Sequence, residues 1–280
     1  MSIPNNKNVH EKTVDSFGDE WSTYTQAHLA NEELGRMFSA YFSIFPWQDL
    51  PDDAEGFDMG CGSGRWARFV AQRVGKLHCI DASGCALEVA KSNLQGYSNV
   101  TFHHSTTDTI TIPAYTCDFG YSLGVLHHIP DTHAALVDCV RLLKPGAPFL
   151  VYLYYRFDNR PAWFRGLWWC SNLMRKMIQG LPVGIKSRVT DAIAVIAYWP
   201  LSRLALLIKT VGGNPAQLPL SHYRRSSFQT LRTDSRDRFG TPLEQRFTRS
   251  EITEMMQTAG LENIQFSDNE PYWCAVGTKA

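Results

Sequence analysis

Apolar positions along the chain switch between two periods, and the switching predicts the architecture. Residues 14–50 place Phe17, Trp21, Tyr24, Leu29, Leu34, Phe38 and Phe42 at mostly helical spacing, which predicts a helical lead-in. Gly56 to Met59 is then a short apolar run ending in a glycine-rich turn. Residues 65–74 follow with Trp66, Phe69, Val70 and Val74 on one side of a predicted helix. The unit of strand, tight turn and helix recurs. KLHCID (76–81) reads as a strand, and Ser83 can cap a helix carrying Ala86, Leu87, Ala90 and Leu94. NVTFHH (99–104) and DFGYSL (118–123) read as the third and fourth strands. Asp131 or Thr132 starts a helix through Leu136, Val140 and Leu143, stopped by Lys144-Pro145-Gly146. PFLVYLYY (148–155) is nearly all apolar, as a strand buried at the centre of a sheet should be. Strands alternating with helices imply right-handed crossovers and a doubly wound, parallel α/β sheet.

After residue 155 the rhythm is lost, and it resumes at Thr248, which can cap the helix SEITEMMQTAG. Two strand-like runs close the chain, LENIQFS (261–267) and YWCAVG (272–277). The chain therefore divides into a lead-in or cap (1–50), an α/β core (51–155 with 247–280) and a helical insertion (156–246).

Composition narrows the class. With 280 residues, 44% hydrophobic and 19% charged, the chain can bury a large core and does not resemble a disordered one. Net charge is zero, so the totals give no argument for nucleic acid. The distribution is uneven: the insertion holds 15 Lys and Arg against 5 Asp and Glu, leaving the remainder equally negative. Seven cysteines, an odd number with no C-x-x-C pair, predict free thiols in a reducing cytoplasm and no metal site. The polar start MSIPNNKNVHEKT has no apolar signal core. The most apolar stretch, AIAVIAYWPLSRLALLI (192–208), contains Pro200 and Arg203 and reads as a buried or interfacial segment in preference to a membrane span.

The first glycine-rich segment, FDMGCGSGRW (57–66), sets Asp58, Gly60, Gly62 and Gly64 as D-x-G-x-G-x-G. Glycines allow a tight turn and close approach of a ligand to the backbone. A following helix offers free N–H groups and a positive dipole end that suit a carboxylate, and Asp58 can attract an ammonium group. A ligand with an amino-acid tail is accommodated. A dinucleotide fingerprint would need glycine at 65, where the chain has Arg65. Asp81, at the end of the second strand, can accept hydrogen bonds from both ribose hydroxyls. Together these features favour a methionine-bearing nucleoside.

The segments FDMGCGSGRW, LHCIDAS, FGYSLGVLHHIPD, RLLKPGAPFLVY and FTRSEITEMMQTAGLENIQFSD resemble the class I S-adenosylmethionine-dependent methyltransferases. The similarity is closest to the small-molecule branch that includes ubiquinone-biosynthesis methyltransferases. The resemblance implies a Rossmann-like, seven-stranded, mostly parallel sheet whose last strand is antiparallel, with S-adenosyl-L-methionine as cofactor. It implies that Gly60, Cys61 and Gly62 meet the methionine part through the backbone and that Asp81 holds the ribose with Ala82 at its border. Thr106 or Thr107 borders the adenine, although relatives carry an acid there and the nearest here is Asp108. Leu123 and Gly124 face the sulfonium side.

Methyl transfer is a direct displacement that needs alignment, and a base only where the nucleophile must lose a proton. His127 and His128, after the fourth strand, are candidate bases, or serve only to shape the pocket. Trp21 and Tyr24 are candidates to close over cofactor or substrate, or pack as plain helix residues. Tyr154, His222, Tyr223 and Arg224 are further candidates for substrate contact. Three readings of the insertion stay open: a lid over an anionic or apolar substrate, an interfacial pair of helices in peripheral membrane contact, or a core of aromatics with a solvated charged face. The leading expectation is methylation of a small or lipid-like biosynthetic molecule on oxygen. N- or C-methylation at the same site, a non-catalytic cofactor-binding partner module, and RNA methylation served by the insertion's arginines are the alternatives. Homo-oligomerisation is compatible with all of them.

Overall fold

The computed structural model describes residues 8–23 and 31–280; Tyr24 and Leu29 lie outside the described residues. In chain order the elements are α1 (Glu11–Thr23), α2 (Asn31–Tyr41), β1 (Glu55–Met59), α3 (Ala67–Val70), β2 (Lys76–Asp81), α4 (Gly84–Asn93), β3 (Val100–His104), β4 (Phe119–Leu123), α5 (Thr132–Arg141), β5 (Pro148–Tyr152), α6 (Ala162–Ile178), α7 (Val183–Ile193), α8 (Trp199–Thr210), α9 (Phe228–Gly240), α10 (Arg249–Thr258), β6 (Leu261–Phe266) and β7 (Cys274–Lys279). They form two compact units. One comprises Met1–His28, Leu34–Arg156 and Leu243–Ala280; the other comprises Leu29–Glu33 and Phe157–Pro242.

The first unit is a seven-stranded sheet in the order β3-β2-β1-β4-β5-β7-β6. Neighbours from β3 to β5 run parallel, and β7 is antiparallel to both β5 and β6. The expected doubly wound fold with an antiparallel last strand is what forms. The strand order reverses between β1 and β4, so the loops leaving these two strands diverge and open a crevice at their carboxyl ends, where ligands bind in such sheets. Every residue of β4 is buried, which explains why central strands read as unbroken apolar runs. One face packs Phe57, Leu126, Leu136 and Phe149 with Ile252 of α10. The other packs Phe38 of α2 and Phe42 just after it with Val70, Phe119 and Leu150.

Local expectations differ from the outcome at three ends. The helix read over 65–74 is α-helical only over Ala67–Val70, and its last turn tightens, with the Arg73 N–H donating to the Val70 carbonyl at 2.9 Å. β5 stops at Tyr152, because Tyr154 and Arg156 pair instead with Phe247: the Phe247 N–H donates to Tyr154 and the Arg156 N–H to Phe247, both at 2.9 Å. β7 begins two residues later than the run YWCAVG. The helix starts hold. Ser83 and Asp131 cap α4 and α5, and Thr248 with Glu251 forms a reciprocal capping box on α10. Thr248→Ala should therefore cost about 1 kcal/mol in urea unfolding, with the slope of the transition unchanged.

In the second unit, α7 and α8 join through one π-helical turn into a continuous run, Val183–Thr210. Its small core is Ile178, Tyr198, Leu231 and Phe239. The Glu33 carboxylate accepts from the Ser227 N–H and the Thr230 hydroxyl at the start of α9, both at 2.8 Å. Arg232 forks onto Asp191 at 2.8 and 2.7 Å. The reading that placed this segment's aromatics in a core and its charges on a solvated face holds only in part: Tyr198 and Phe239 enter the core, and Arg165, Lys176, Arg188 and Lys209 are exposed. Trp163, Trp169 and Trp199 are exposed, whereas Arg175 and Lys186 are buried. The stretch 192–208 is likewise not a buried segment, since only 22% of the most apolar window of Val183–Thr210 is buried.

Candidate cofactor and active site

β1 delivers Asp58 and then the turn Gly60–Gly64 to the crevice. Asp58 is buried, and the Tyr121 hydroxyl of adjoining β4 donates to its Oδ2 at 3.0 Å. Burial, opposed by that hydrogen bond, pushes the Asp58 carboxyl up to about 8. The backbone N–H groups of Gly60 and Cys61 both donate to the Ile80 carbonyl, at 2.8 and 3.0 Å, so the turn crosses over the end of β2. Gly60 has φ +78°, and a Cβ there would lie 2.4 Å from the Val125 methyls. Gly62 has φ +54° and lies under the Trp21 indole, 3.1 Å from where its Cβ would be. A hydrogen bond with the Cys79 thiol, and burial, hold the Cys61 thiol well above its ordinary value, leaving its backbone as the useful part.

Asp81 does more than end a strand. Its Oδ2 accepts from the Gly62 N–H at 2.9 Å and its Oδ1 from the Ser83 N–H at 2.8 Å, so it clamps the glycine turn to the start of α4. A carboxylate has about four acceptor sites, so it keeps capacity for a ribose hydroxyl. Burial pushes its pKa up, opposed by those N–H groups. The Ala82 carbonyl accepts from His104 Nε2 at 3.0 Å. In the turn after β3, Thr107 is buried and the Thr106 hydroxyl donates to Asp108 at 2.6 Å. After β4, Leu123 is buried and Gly124, at φ +80°, donates to the Tyr152 carbonyl at 3.0 Å.

His127 and His128 follow on the 3-10 turn Leu126–His128 and are both buried. His128 Nδ1 lies 2.6 Å from the Leu243 carbonyl. A carbonyl only accepts, so Nδ1 carries the proton and Nε2 is the basic nitrogen of the neutral ring. Phe17 of α1 meets this ring edge-on at 4.9 Å. His127 stacks on Tyr154 at 3.9 Å. Burial, then His128 and Arg246, hold His127 well below its ordinary pKa, and neither of its ring nitrogens bonds a protein group. Arg246 lies 5.0 Å from the Tyr154 ring centre and pairs at 2.8 Å with the buried Glu244.

Several members of this cluster were invisible in the sequence. The Leu243–Phe247 segment, assigned there to the insertion up to residue 246, belongs to the first unit: the Gln245 N–H donates to the His127 carbonyl at 3.0 Å and its side chain to Ile129 at 2.7 Å. Tyr121 had a readable signal, a phenol hydroxyl in an apolar strand whose register sets it beside Asp58. Phe17 and Val125 had none. Of the proposed substrate residues, Trp21 and Tyr154 join the cluster, and Tyr24 lies outside the described residues. His222, Tyr223 and Arg224 belong to the second unit, on the turn Ser221–Arg225, where His222 packs on Tyr223 at 3.6 Å and Arg224 donates to the Ser221 carbonyl at 3.0 Å.

A doubly wound sheet with a glycine turn on β1 and a carboxylate clamping it from β2 defines a nucleoside-binding α/β domain of the methyltransferase type. Residues 57–151 match the family described as a methyltransferase domain, and this segment is a class I S-adenosylmethionine-dependent methyltransferase domain. A ubiquinone biosynthesis O-methyltransferase of Alkalilimnicola ehrlichii is 34% identical over 96 residues, 32% of this chain and 37% of that protein. A demethylmenaquinone methyltransferase of Bacillus licheniformis is 26% identical over 128 residues, 39% of this chain and 55% of that protein. The chain thus spans about half the length, or less, of these curated relatives. A solved Thermotoga maritima structure, titled a SAM-dependent methyltransferase and possible histamine N-methyltransferase, shares the fold at TM-score 0.50 and 13% identity, covering 94% of this chain and 100% of that one.

The residues present suit the domain's cofactor, S-adenosylmethionine. Gly60 and Gly62 leave backbone where a Cβ would collide, Asp58 is a buried carboxyl suited to an ammonium group, and Asp81 keeps acceptor sites for a ribose.

Proposed function

We propose that the chain transfers the methyl group of S-adenosylmethionine to the oxygen of a small or lipid-like biosynthetic acceptor. The observation that carries this reading is the fixed tautomer of His128. Its Nδ1–H is committed to the Leu243 carbonyl, so Nε2 is presented as a proton acceptor after β4. The cofactor supplies an electrophilic methyl and leaves as the neutral thioether. His128 Nε2 takes the acceptor hydroxyl's proton, and the Leu243 hydrogen bond and Phe17 hold the ring for it. His127, held neutral by burial and unbonded by the protein, is a polar contact for the acceptor rather than the base. Asp58 binds the ammonium group, Asp81 the ribose, Thr106 and Thr107 border the adenine, and Trp21 and Tyr154 close on the reactants. The relatives' names, one an O-methyltransferase of quinone synthesis, support an apolar hydroxylated acceptor. The 157–242 unit, which carries His222, Tyr223 and Arg224, lies outside the matched domain.

His128→Ala should lower the single-turnover methylation rate at least about tenfold while leaving the affinity for S-adenosylhomocysteine within twofold, roughly the lower end of general-base contributions. A loss smaller than that removes the base role and favours an amine or carbon acceptor. Incubating the protein with labelled cofactor and cell extract, then weighing the labelled product, identifies the acceptor. Binding without any turnover would reduce the protein to a cofactor-binding module.

A further inference from the structure

The second unit buries two cations and leaves much of its apolar surface outside. On α6 the positions 164, 168, 171, 175 and 178 form the sheltered stripe, and that stripe includes Arg175, whose guanidinium donates to the Thr241 carbonyl at 2.9 Å and to Asn172 and Gln179. A second stripe about 100° round the helix, Trp163, Leu167, Cys170, Met174 and Met177, is exposed along its whole length, and Trp169 and Leu173 are exposed on the far side. The run Val183–Thr210 is exposed in the same way. Its sheltered side carries Lys186, Thr190 and Ser202 among Ala194, Tyr198 and Ala205, and its exposed side carries Ile185, Val195, Ile196, Trp199, Leu204 and Leu207. An amphipathic helix on a water-soluble body shows the reverse arrangement. An apolar surface of this extent marks an interaction site.

We infer that the exposed faces of α6 and of Val183–Thr210 dock on the surface of an anionic phospholipid bilayer. Charge settles the occupant. Residues 157–242 hold 13 Lys and Arg against 4 Asp and Glu. α6 has no acidic residue, and the one acid of Val183–Thr210, Asp191, is held by the Arg232 fork. Exposed Arg165, Lys176, Arg188 and Lys209 accompany the exposed tryptophans. Indoles with flanking cations are the composition of helices that lie in the headgroup layer of anionic membranes. A second copy of the chain would bring like charge against like charge, which opposes pairing through these faces. The run is long and apolar enough to cross a bilayer by length and composition. Its sheltered side, however, packs on α9 through Lys186, Thr190 and Tyr198, with the Ser235 hydroxyl donating to the Thr190 carbonyl at 2.8 Å. It lies on the surface rather than spanning it.

Flotation of the full-length protein with vesicles tests this. The protein should rise with vesicles of phosphatidylcholine plus phosphatidylglycerol at low salt, and at least about tenfold less with phosphatidylcholine alone or at high salt. Binding should shift tryptophan emission to the blue. The double substitution Trp163→Glu and Trp169→Glu should lower the bound fraction at least about tenfold, because it puts carboxylates where the indoles insert. Affinity for S-adenosylhomocysteine and far-UV circular dichroism should not change. Should that variant fail to fold, Arg165→Glu with Lys176→Glu reads the same face through charge. Wild-type protein that stays with the dense fraction at low salt overturns the inference, as does a dimer that these substitutions dissolve without any vesicle binding. The readout needs no methyl transfer: an inactive protein that floats sinks only the proposed activity, and an active one that never floats sinks only the docking face.

Discussion

Asp81→Ala is expected to weaken binding of S-adenosylhomocysteine by about 10²- to 10⁴-fold, the combined value of two charge-assisted hydrogen bonds at roughly 1.5–3 kcal/mol each. The loss has two sources. The carboxylate offers its remaining acceptor sites to a ribose, and alanine offers none. The same carboxylate also holds the Gly62 and Ser83 N–H groups at 2.9 and 2.8 Å. Without it the glycine turn has two orphaned donors and loses its tie to α4. Asp81→Asn should rescue little. An amide must aim its NH2 at one of those two N–H groups, donor against donor, and so breaks the clamp on one side. Calorimetric titration with the demethylated cofactor measures the effect. A variant that binds within tenfold of the wild type, with an intact circular-dichroism spectrum, would remove Asp81 from the site.

The fold was legible in the sequence for a physical reason. Strands of a parallel sheet covered on both faces must be continuously apolar, so FDM, LHCI and PFLVY stand out from the amphipathic helices between them. The capping residues Ser83, Asp131 and Thr248 mark helix starts without any tertiary information. The cofactor turn was legible because glycine at φ +78° and +54° leaves its mark in composition. What depends on distant partners was not legible. Nothing near His128 in the chain announces that the carbonyl of Leu243 fixes its tautomer, and the PLEQRF run looks like the end of an insertion. The second unit defeated pattern reading because periodicity reveals that a helix is two-faced but not which face points inward. Buried Arg175 and exposed Trp163 are the reverse of the default assignment, and only their partners on α9 and at Thr241 decide it. Apolar stripes in aqueous proteins are read as cores by rule, and an interfacial helix obeys a different solvent.

Cofactor affinity should rise with pH up to about 8 and fall above it. In the free protein, burial and the neighbouring Asp81 charge hold the Asp58 carboxyl up to about 8, against the Tyr121 hydrogen bond, so at neutral pH it is mainly protonated. An ammonium group placed beside it favours the ionised form, so binding releases a proton. Well below the raised value the association constant therefore gains about tenfold per pH unit, and about 25-fold in all between roughly pH 6 and 8, because both groups are half titrated at the upper end. Above that range the cofactor's own α-amino group, with an ordinary value of about 8, loses its charge and the attraction goes with it. The stability of the ligand-free protein runs the opposite way. A carboxyl whose folded value is raised favours the fold while protonated in both states, so stability declines as pH climbs from the ordinary carboxyl value to about 8 and is level beyond. Asp58→Asn removes the contribution of this carboxyl to both slopes. It binds about 10- to 100-fold more weakly at pH 8, having lost one charge-assisted contact, and its melting temperature declines less steeply with pH over that window. Calorimetry in two buffers of different ionisation enthalpy counts the released proton directly. A wild-type affinity that stays constant across this window, with no proton released, would place the ammonium group away from Asp58 and leave that carboxyl a structural partner of Tyr121.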